Sequence, residues 1–349
     1  EKRRAIIERG VLILSNIAFG IDLGTNNIKI FNRSDDTILV EKNMIAIENK
    51  NTLFAYGDSA FEMYEKAPGN IHISYPLSNG VIADIKNMEL LIKYFINDLT
   101  RSNVRPGDYY IAVPTDVTEV EKRAFYDLVR DAGVKARRIL VVEKAVADGL
   151  GLDIDVKNSQ GVLIVNVGFD TTEISILSLG GIVLSRLIKV GGQKFDDAIR
   201  AAVRRQFSLI IGGKTAENVK MAAAELEKEG KGALVYGRDI VTGLPVEREL
   251  PTQLIDEALF EHFHTIIDNI KVILERTPPE LAADIYKHGI YLTGGASQVN
   301  HLAQLVQKGT GLKVNVSENP ITSVALGLAK IIKDDNYKSV AYSIEGMSK

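Results

Sequence analysis

The sequence predicts an α/β protein made of two related domains, and three observations carry that prediction. Apolar strands alternate with amphipathic helices along most of the chain, the pattern of layered α/β architecture. A strand, glycine turn, strand unit at 19–30, FGIDLGTNNIKI, has a second copy at 162–176, VLIVNVGFDTTEISI. A diglycine turn, LTGGAS at 292–297, comes later. Glycine lets the backbone approach an anion closely, with neighbouring amide hydrogens pointing at its oxygens. Two such hairpins facing each other, followed by a diglycine turn, are the layout of a nucleotide clamp at the base of a cleft between related domains.

Each element has a local reason. After the first hairpin, 37–74 is strand-rich, with turn signals and Pro68-Gly69 near its end. Residues 88–99 have helical periodicity, and 108–114, DYYIAVP, reads as a buried strand. Thr118 and Glu121 form a capping box for a helix that Gly133 ends. A strand at 138–142 and a helix at 143–150 follow. From Gly161 the plan repeats: a hairpin, Gly191-Gly192, and a helix from Lys194. Its first turn carries Asp196 and Asp197 and its last Arg204 and Arg205, complementing the helix dipole. A helix at 215–230, strands within 238–250 and a long amphipathic helix at 251–275 come next, broken by Pro278-Pro279. A strand at 290–293 leads to the diglycine turn, and a helix at 320–333 closes the chain, returning to the first half. The second domain is thus an insertion in the first, and the last dozen residues are a polar, mobile tail.

Composition narrows the function. A chain of 349 residues, 46 % hydrophobic and 25 % charged, suits two globular domains. A net charge of −3 gives no global field to recruit nucleic acid. Cysteine is absent, which excludes disulfides, thiolate metal sites and cysteine nucleophiles and is compatible with a reducing cytoplasm. The five histidines show no metal spacing, and His262 and His264, two apart on a helix, point to different faces; packed or solvated surface histidines are expected. No apolar run reaches the ~20 residues needed to span a bilayer. The start, EKRRAIIERGVLILSNI, has a basic end and an apolar stretch at 11–17 too short and interrupted for a signal segment. It reads either as an extension leading into the first strand or as an interfacial anchor using Lys2, Arg3, Arg4 and Arg9.

Long words carry a family resemblance: NGVIAD at 79–84, VPTDVTEVEKRA at 113–124, and SLGGIVLSR followed by VGG within 178–192. GRDIVTGLP at 237–245, TPPELAADIY, HGI and LTGG within 277–295, and ENPITSVALG at 318–327 continue it. From 17 to 333 the chain resembles the MreB-type bacterial actins, rod shape-determining members of the actin-like ATPase superfamily. The resemblance implies an actin-like, ribonuclease H-like duplicated fold, with two domains each split into two subdomains around a cleft for ATP and Mg2+. The implied division is an extension at 1–16, subdomain IA at 17–40, 77–153 and 321–337, IB at 41–76, IIA at 154–192 and 252–320, IIB at 193–251, and a tail at 338–349. It further implies cytoplasmic, membrane-associated filaments that guide cell-wall synthesis. The implied partners are the chain itself, a standard MreB paralogue and the cell-wall machinery, without nucleic acid.

Site residues carry over one by one. Asp22, Gly24 and Thr25, with Asn26 beside them, match the first phosphate loop, and Asp22 is the implied Mg2+ contact through water. Lys29 stands where eukaryotic and plasmid-segregating actins hold a phosphate-contacting lysine. Gly168 and Thr171 belong to the second phosphate loop and Gly192 to the following turn. Glu217 matches the acidic residue that binds the ribose, Lys214 is a further implied nucleotide-binding residue, and Gly294, Gly295 and Ala296 match the adenosine loop.

Three departures concern chemistry. Asn166 replaces a carboxylate of the metal's water shell. Phe169 and Asp170 replace two glycines, and the added carboxylate beside a polyphosphate costs about a few kcal/mol. Lys144 stands at the glutamate that orients the attacking water; lysine has donors but no acceptor. Glu143 is the replacement base on offer, although adjacent helical residues point about 100° apart. The expectation is nucleotide binding with impaired hydrolysis, or no binding at all. The alternatives are a competent ATPase and a non-polymerising scaffold. A small-molecule kinase is disfavoured because no carboxylate suits a hydroxyl substrate. In the family, a loop before the 108–114 strand often inserts into lipid; here 101–106, RSNVRP, offers only Val104 with Arg101 and Arg105.

Overall fold

Ala18–Leu23 and Gly107–Val113 are buried at every position, as strands covered on both faces must be. In the computed structural model, which describes residues 17–345, they lie at the centre of a six-stranded sheet. The membrane-anchor reading of 1–16 falls outside the described residues. The sheet runs Ala341–Tyr342, Ala136–Glu143, Gly107–Val113, Ala18–Leu23, Asn27–Asn32, Thr37–Lys42. Its three middle strands are parallel, with Asp22 and Val142 both in register with Ala112. The first hairpin is antiparallel and sets Asp22 opposite Lys29.

Helices cover this sheet for reasons written locally. In Ile85–Leu99, Met88, Leu91, Ile92, Phe95 and Ile96 are buried at helical spacing. The helix starts a turn earlier than its apolar periodicity indicates, because the Asp84 side chain accepts from the Asn87 amide at 3.0 Å. The Thr118 capping box is present in both directions, at 2.8 Å and 3.2 Å. A short helix, Asp58–Met63, interrupts the stretch read as strands. The expected mobile tail is instead ordered through 345: Ala341–Tyr342 pairs with Val141 and Val142, and Ile344 is buried. The edge pairing, buried Ile344 and the Tyr342 ring against the core dock an otherwise polar segment.

The described chain divides into two compact units, each with its own apolar core. The second comprises Gln160–Ile176 and Leu184–Ile321. A five-stranded sheet, most of whose residues belong to this unit, runs Gly181–Ile188, Thr172–Ser178, Val162–Val167, Ile290–Thr293, Val314–Val316, with Asn166 in register with Thr293. A small antiparallel sheet holds Leu209–Ile210, Ala233–Asp239 and Pro245–Leu250. Its hairpin begins earlier than the sequence reading, Ala233 and Val235 facing inward while Leu234 and Tyr236 face out. Pro278-Pro279 ends Thr252–Glu275 and also opens Pro279–His288, proline being well suited to a first helical position.

One charge assignment is overturned. The helix expected from Lys194 begins at Gly192, which moves Asp196 and Asp197 out of its first turn. Asp196 does not serve the dipole at the solvent surface; it is buried beside Lys220 at 2.7 Å.

Candidate nucleotide-binding loops

In the first unit, Ala18–Leu23 delivers Asp22 to its carboxyl end, where ligands of parallel sheets collect. The Gly24 amide donates to the Asn27 carbonyl at 3.1 Å, and a Cβ on Gly24 would stand 2.6 Å from that oxygen, so the turn requires glycine. Buried Asn43 fixes the loop from behind: its side-chain amide donates to the Gly24 carbonyl and its backbone amide to the Asn26 carbonyl, both at 2.9 Å. Lys42 donates to Asn26 Oδ1 at 3.0 Å while lying over the Phe61 ring. Asn26 is therefore held in the scaffold of the loop, and Thr25 stands half-buried at the turn. Neither Lys42 nor Asn43 carries a sequence signal for this positioning role.

The hairpin register brings Lys29 Nζ to 3.0 Å from Asp22 Oδ2, with side chains 12 % and 3 % exposed. Asp22 Oδ1 is buried without a hydrogen-bond partner, an oxygen that a ligand or water can serve. The Asp22 carboxylate fits Mg2+ poorly, because it is already neutralised by Lys29, whereas Mg2+ is held through carboxylates and phosphates.

The Glu143 carboxylate is engaged within its own unit. Its Oε1 accepts from Lys122 Nζ at 3.0 Å and from the Tyr342 hydroxyl at 2.6 Å. Burial and then the Glu143 hydrogen bond push the Tyr342 hydroxyl up to about 12. Burial works to lower the Lys122 pKa, but the bond and charge of Glu143 overcome it and hold the ammonium above the usual lysine range. Glu143 is also two strands across from Asp22 in the sheet, roughly 10 Å. Lys144 takes the first position of the Lys144–Gly151 helix, half-buried.

In the second unit, the loop that departs from the family closes on itself. The Gly168 amide donates to the Thr171 carbonyl at 2.8 Å. The Gly168 and Phe169 carbonyls accept from the Gly192 and Gln193 amides at 3.0 Å and 2.8 Å. Those amides open the Gly192–Phe207 helix and are the kind of unpaired donors that otherwise hold an anion. A Cβ on Gly191 would stand 2.6 Å from both carbonyl oxygens, which is why the turn is glycine.

The same unit gathers the residues expected to form the adenosine loop. Gly294, at φ +88°, packs against Asn166 and Val167; a Cβ there would lie 2.5 Å from Asn166 Oδ1 and 2.3 Å from the Val167 carbonyl. Gly295 starts a short 3-10 turn in which Ala296 is buried and Gly295 exposed. Ala296 also approaches Gly192, the distance from its Cβ to a Cβ built there being 3.5 Å.

Below the diglycine turn lies a buried ion pair that sequence reasoning missed. Lys220 Nζ is 2.7 Å from Asp196 Oδ1 and donates to the Gly192 carbonyl at 3.3 Å. Burial pushes the Asp196 carboxyl up to about 6 against the pull of Lys220, and the charge of Glu217 adds to the rise. Lys214, Glu217 and Lys220 recur every three residues along Gly213–Glu229 and so share one side of that helix.

Comparisons with known proteins place the chain in a family. A family model described as MreB/Mbl protein matches residues 16–339. The cell shape-determining protein Mbl of Bacillus subtilis (strain 168) is 36 % identical over 313 residues, 88 % of this chain and 93 % of its own. MreB of Escherichia coli (strain K12) is 35 % identical over 322 residues, 90 % of this chain and 92 % of its own. Crystal structures of MreB5 of Spiroplasma citri bound to ADP and to AMPPNP superpose with TM-scores of 0.85 and 0.86. Each is 32 % identical and covers 93 % of this chain and 98 % of its own. With the match running almost end to end and the glycine loops in the expected order, the chain belongs to the MreB/Mbl family and has its actin-like fold.

Proposed function

We propose that this chain is a nucleotide-binding cytoskeletal subunit that assembles into filaments and turns ATP over far more slowly than a standard family member. Nucleotide binding is supported by the order of the glycine loops and by the ADP and AMPPNP in the MreB5 structures. A role in cell shape is supported by the names of the Mbl and MreB relatives. The proposed subdomain boundaries are those implied by the family, and the proposed partners are the chain itself, a paralogue and the cell-wall machinery.

One observation carries the reduced turnover: the charged groups a nucleotide would need are already engaged. Asp22 is ion-paired with Lys29, and the first amides of the Gly192–Phe207 helix are engaged by the Gly168 and Phe169 carbonyls. Neither Lys144 nor Glu143 supplies an unengaged acceptor to orient water. In a phosphate-release assay, the chain should show little turnover. Lys144→Glu, Asn166→Asp, Phe169→Gly and Asp170→Gly together should raise it by more than the sum of the single changes, because these groups act around the same phosphates. Brisk turnover by the unaltered chain that disappears in Asp22→Ala would reject the reading and favour a competent ATPase.

Self-association is supported by apolar surface at the tip of the 237–245 hairpin. Ile240, Val241 and Leu244 are 41 %, 84 % and 62 % exposed there. Filament mass, read by light scattering and electron microscopy over a concentration series, should differ little between ATP and ADP. A ligand shifts assembly only by its differential affinity for the two states. Strong ATP-triggered assembly, or a strictly monomeric protein that also fails to join a paralogue's filaments, would contradict this.

Membrane contact is proposed to reside in 1–16. The 101–106 loop has Arg101 and Arg105 exposed, but Val104 packs against the core and its carbonyl accepts from Lys135 at 3.1 Å. It offers no apolar anchor to lipid.

A further inference from the structure

We propose that Glu227, Asp256 and His301 bind one divalent transition-metal ion of the Zn2+ class on the surface of the second unit. Three separate helices supply these side chains. Glu227 is in the last turn of Gly213–Glu229, Asp256 in the second turn of Thr252–Glu275, and His301 is the residue preceding Leu302–Thr310. Their donor atoms all lie within 4.8 Å of one another.

Two of the three separations are close to those between metal ligands. His301 Nε2 is 2.9 Å from Glu227 Oε2 and 3.6 Å from Asp256 Oδ2. Donors at about 2.0–2.1 Å from a tetrahedral ion are about 3.3 Å apart, a value the two separations straddle. Small side-chain rotations would admit the ion. Asn300 Nδ2 donates to Glu227 Oε2 at 2.6 Å, the kind of neighbour that orients a ligating carboxylate. Asp256 and His301 also border a cavity of about 470 Å³ floored by Phe260, Phe263 and Leu305. Space for water or a further ligand is therefore available beside the three protein donors.

The donor chemistry selects the metal. One imidazole with two carboxylates suits Zn2+, Co2+ or Ni2+, whereas Mg2+ prefers an octahedral oxygen shell. Two carboxylates facing a single histidine leave net negative charge when the imidazole is neutral, and a divalent ion balances it. A bound ion would tie together three helix ends far apart in sequence and stabilise the unit in proportion to its affinity.

The test uses the full chain, freed of metal with a chelator and without nucleotide, titrated with Zn2+ by calorimetry and with Co2+ by visible absorption. One equivalent should bind. His301→Asn, which keeps a residue tolerant of the left-handed backbone at φ 65°, and Asp256→Asn should each weaken binding at least about tenfold. Melting curves of the metal-free variants check that they fold. X-ray absorption at the zinc edge of the unaltered chain should show a single imidazole among nitrogen and oxygen ligands, and it decides the matter if a variant does not fold. Absence of saturable Zn2+ binding at submillimolar concentration, unchanged affinity in folded His301→Asn, or an imidazole count other than one would overturn the proposal.

Discussion

Gly327→Ala is expected to destabilise the first unit by more than about 4 kcal/mol and to leave little folded protein on heating. A Cβ at 327 would stand 1.6 Å from the Ala147 carbonyl oxygen and 2.5 Å from its carbon. The reciprocal contact is as close: a Cβ at Gly151 would stand 1.7 Å from the Ser323 carbonyl oxygen. Both obstacles are backbone atoms, so no rotamer change relieves them, and the Lys144–Gly151 and Ser323–Lys333 helices would have to part. Because Lys144 opens the first of these helices, the shift would also move that residue. Urea denaturation read by circular dichroism measures the effect. Gly69→Ala, where a Cβ would meet nothing within 4 Å, serves as the control and should stay within about 0.5 kcal/mol of the parent. Equal midpoints for Gly327→Ala and the parent would show that the two helices do not pack this closely.

Lys220→Met should cost about 3–5 kcal/mol, because it leaves Asp196 buried without its cation. It also removes the donor to the Gly192 carbonyl beneath the diglycine turn. Replacing both partners, Asp196→Leu with Lys220→Met, should recover most of the loss, since an apolar pair of similar volume has no unpaired charge.

The pH dependence gives a second readout of the same pair. Burial raises the folded Asp196 pKa from 3.8 to about 6, so the folded state holds this proton more tightly than the unfolded chain. The group therefore lowers stability progressively as pH rises from the unfolded value through the folded one. Without Lys220 to favour the carboxylate, the folded pKa rises further and the window widens upward. The deficit of Lys220→Met against the parent should consequently be small near about pH 4 and grow toward about pH 8. A deficit that is the same at both ends would mean that Asp196 is not the group left uncompensated.

Much of the scaffold was legible because its signals are local. The two hairpins, the Thr118 capping box, the long helix ending at Pro278 and the strand before Gly294 each show themselves within a dozen residues, through periodicity, a cap or a glycine. Misreadings cluster where local signals are weak. Asp84 started a helix before its apolar periodicity began, and Tyr342 and Ile344 docked a segment whose composition looked like a tail.

The site divides along the same line. The family and the order of the glycine loops could be read from residue identities alone, since long matched words need no coordinates. Only the tertiary structure decided which charges are neutralised. Lys29 pairs with Asp22 through strand register, Glu143 joins Lys122 and Tyr342 from 21 and 199 residues away, and Lys220 finds Asp196 between helices. His301, with no metal spacing in the sequence, meets Glu227 and Asp256 in the same way. A charged side chain's state depends on what packs within a few ångströms of it, and in a folded chain those neighbours come from segments that no sequence window contains.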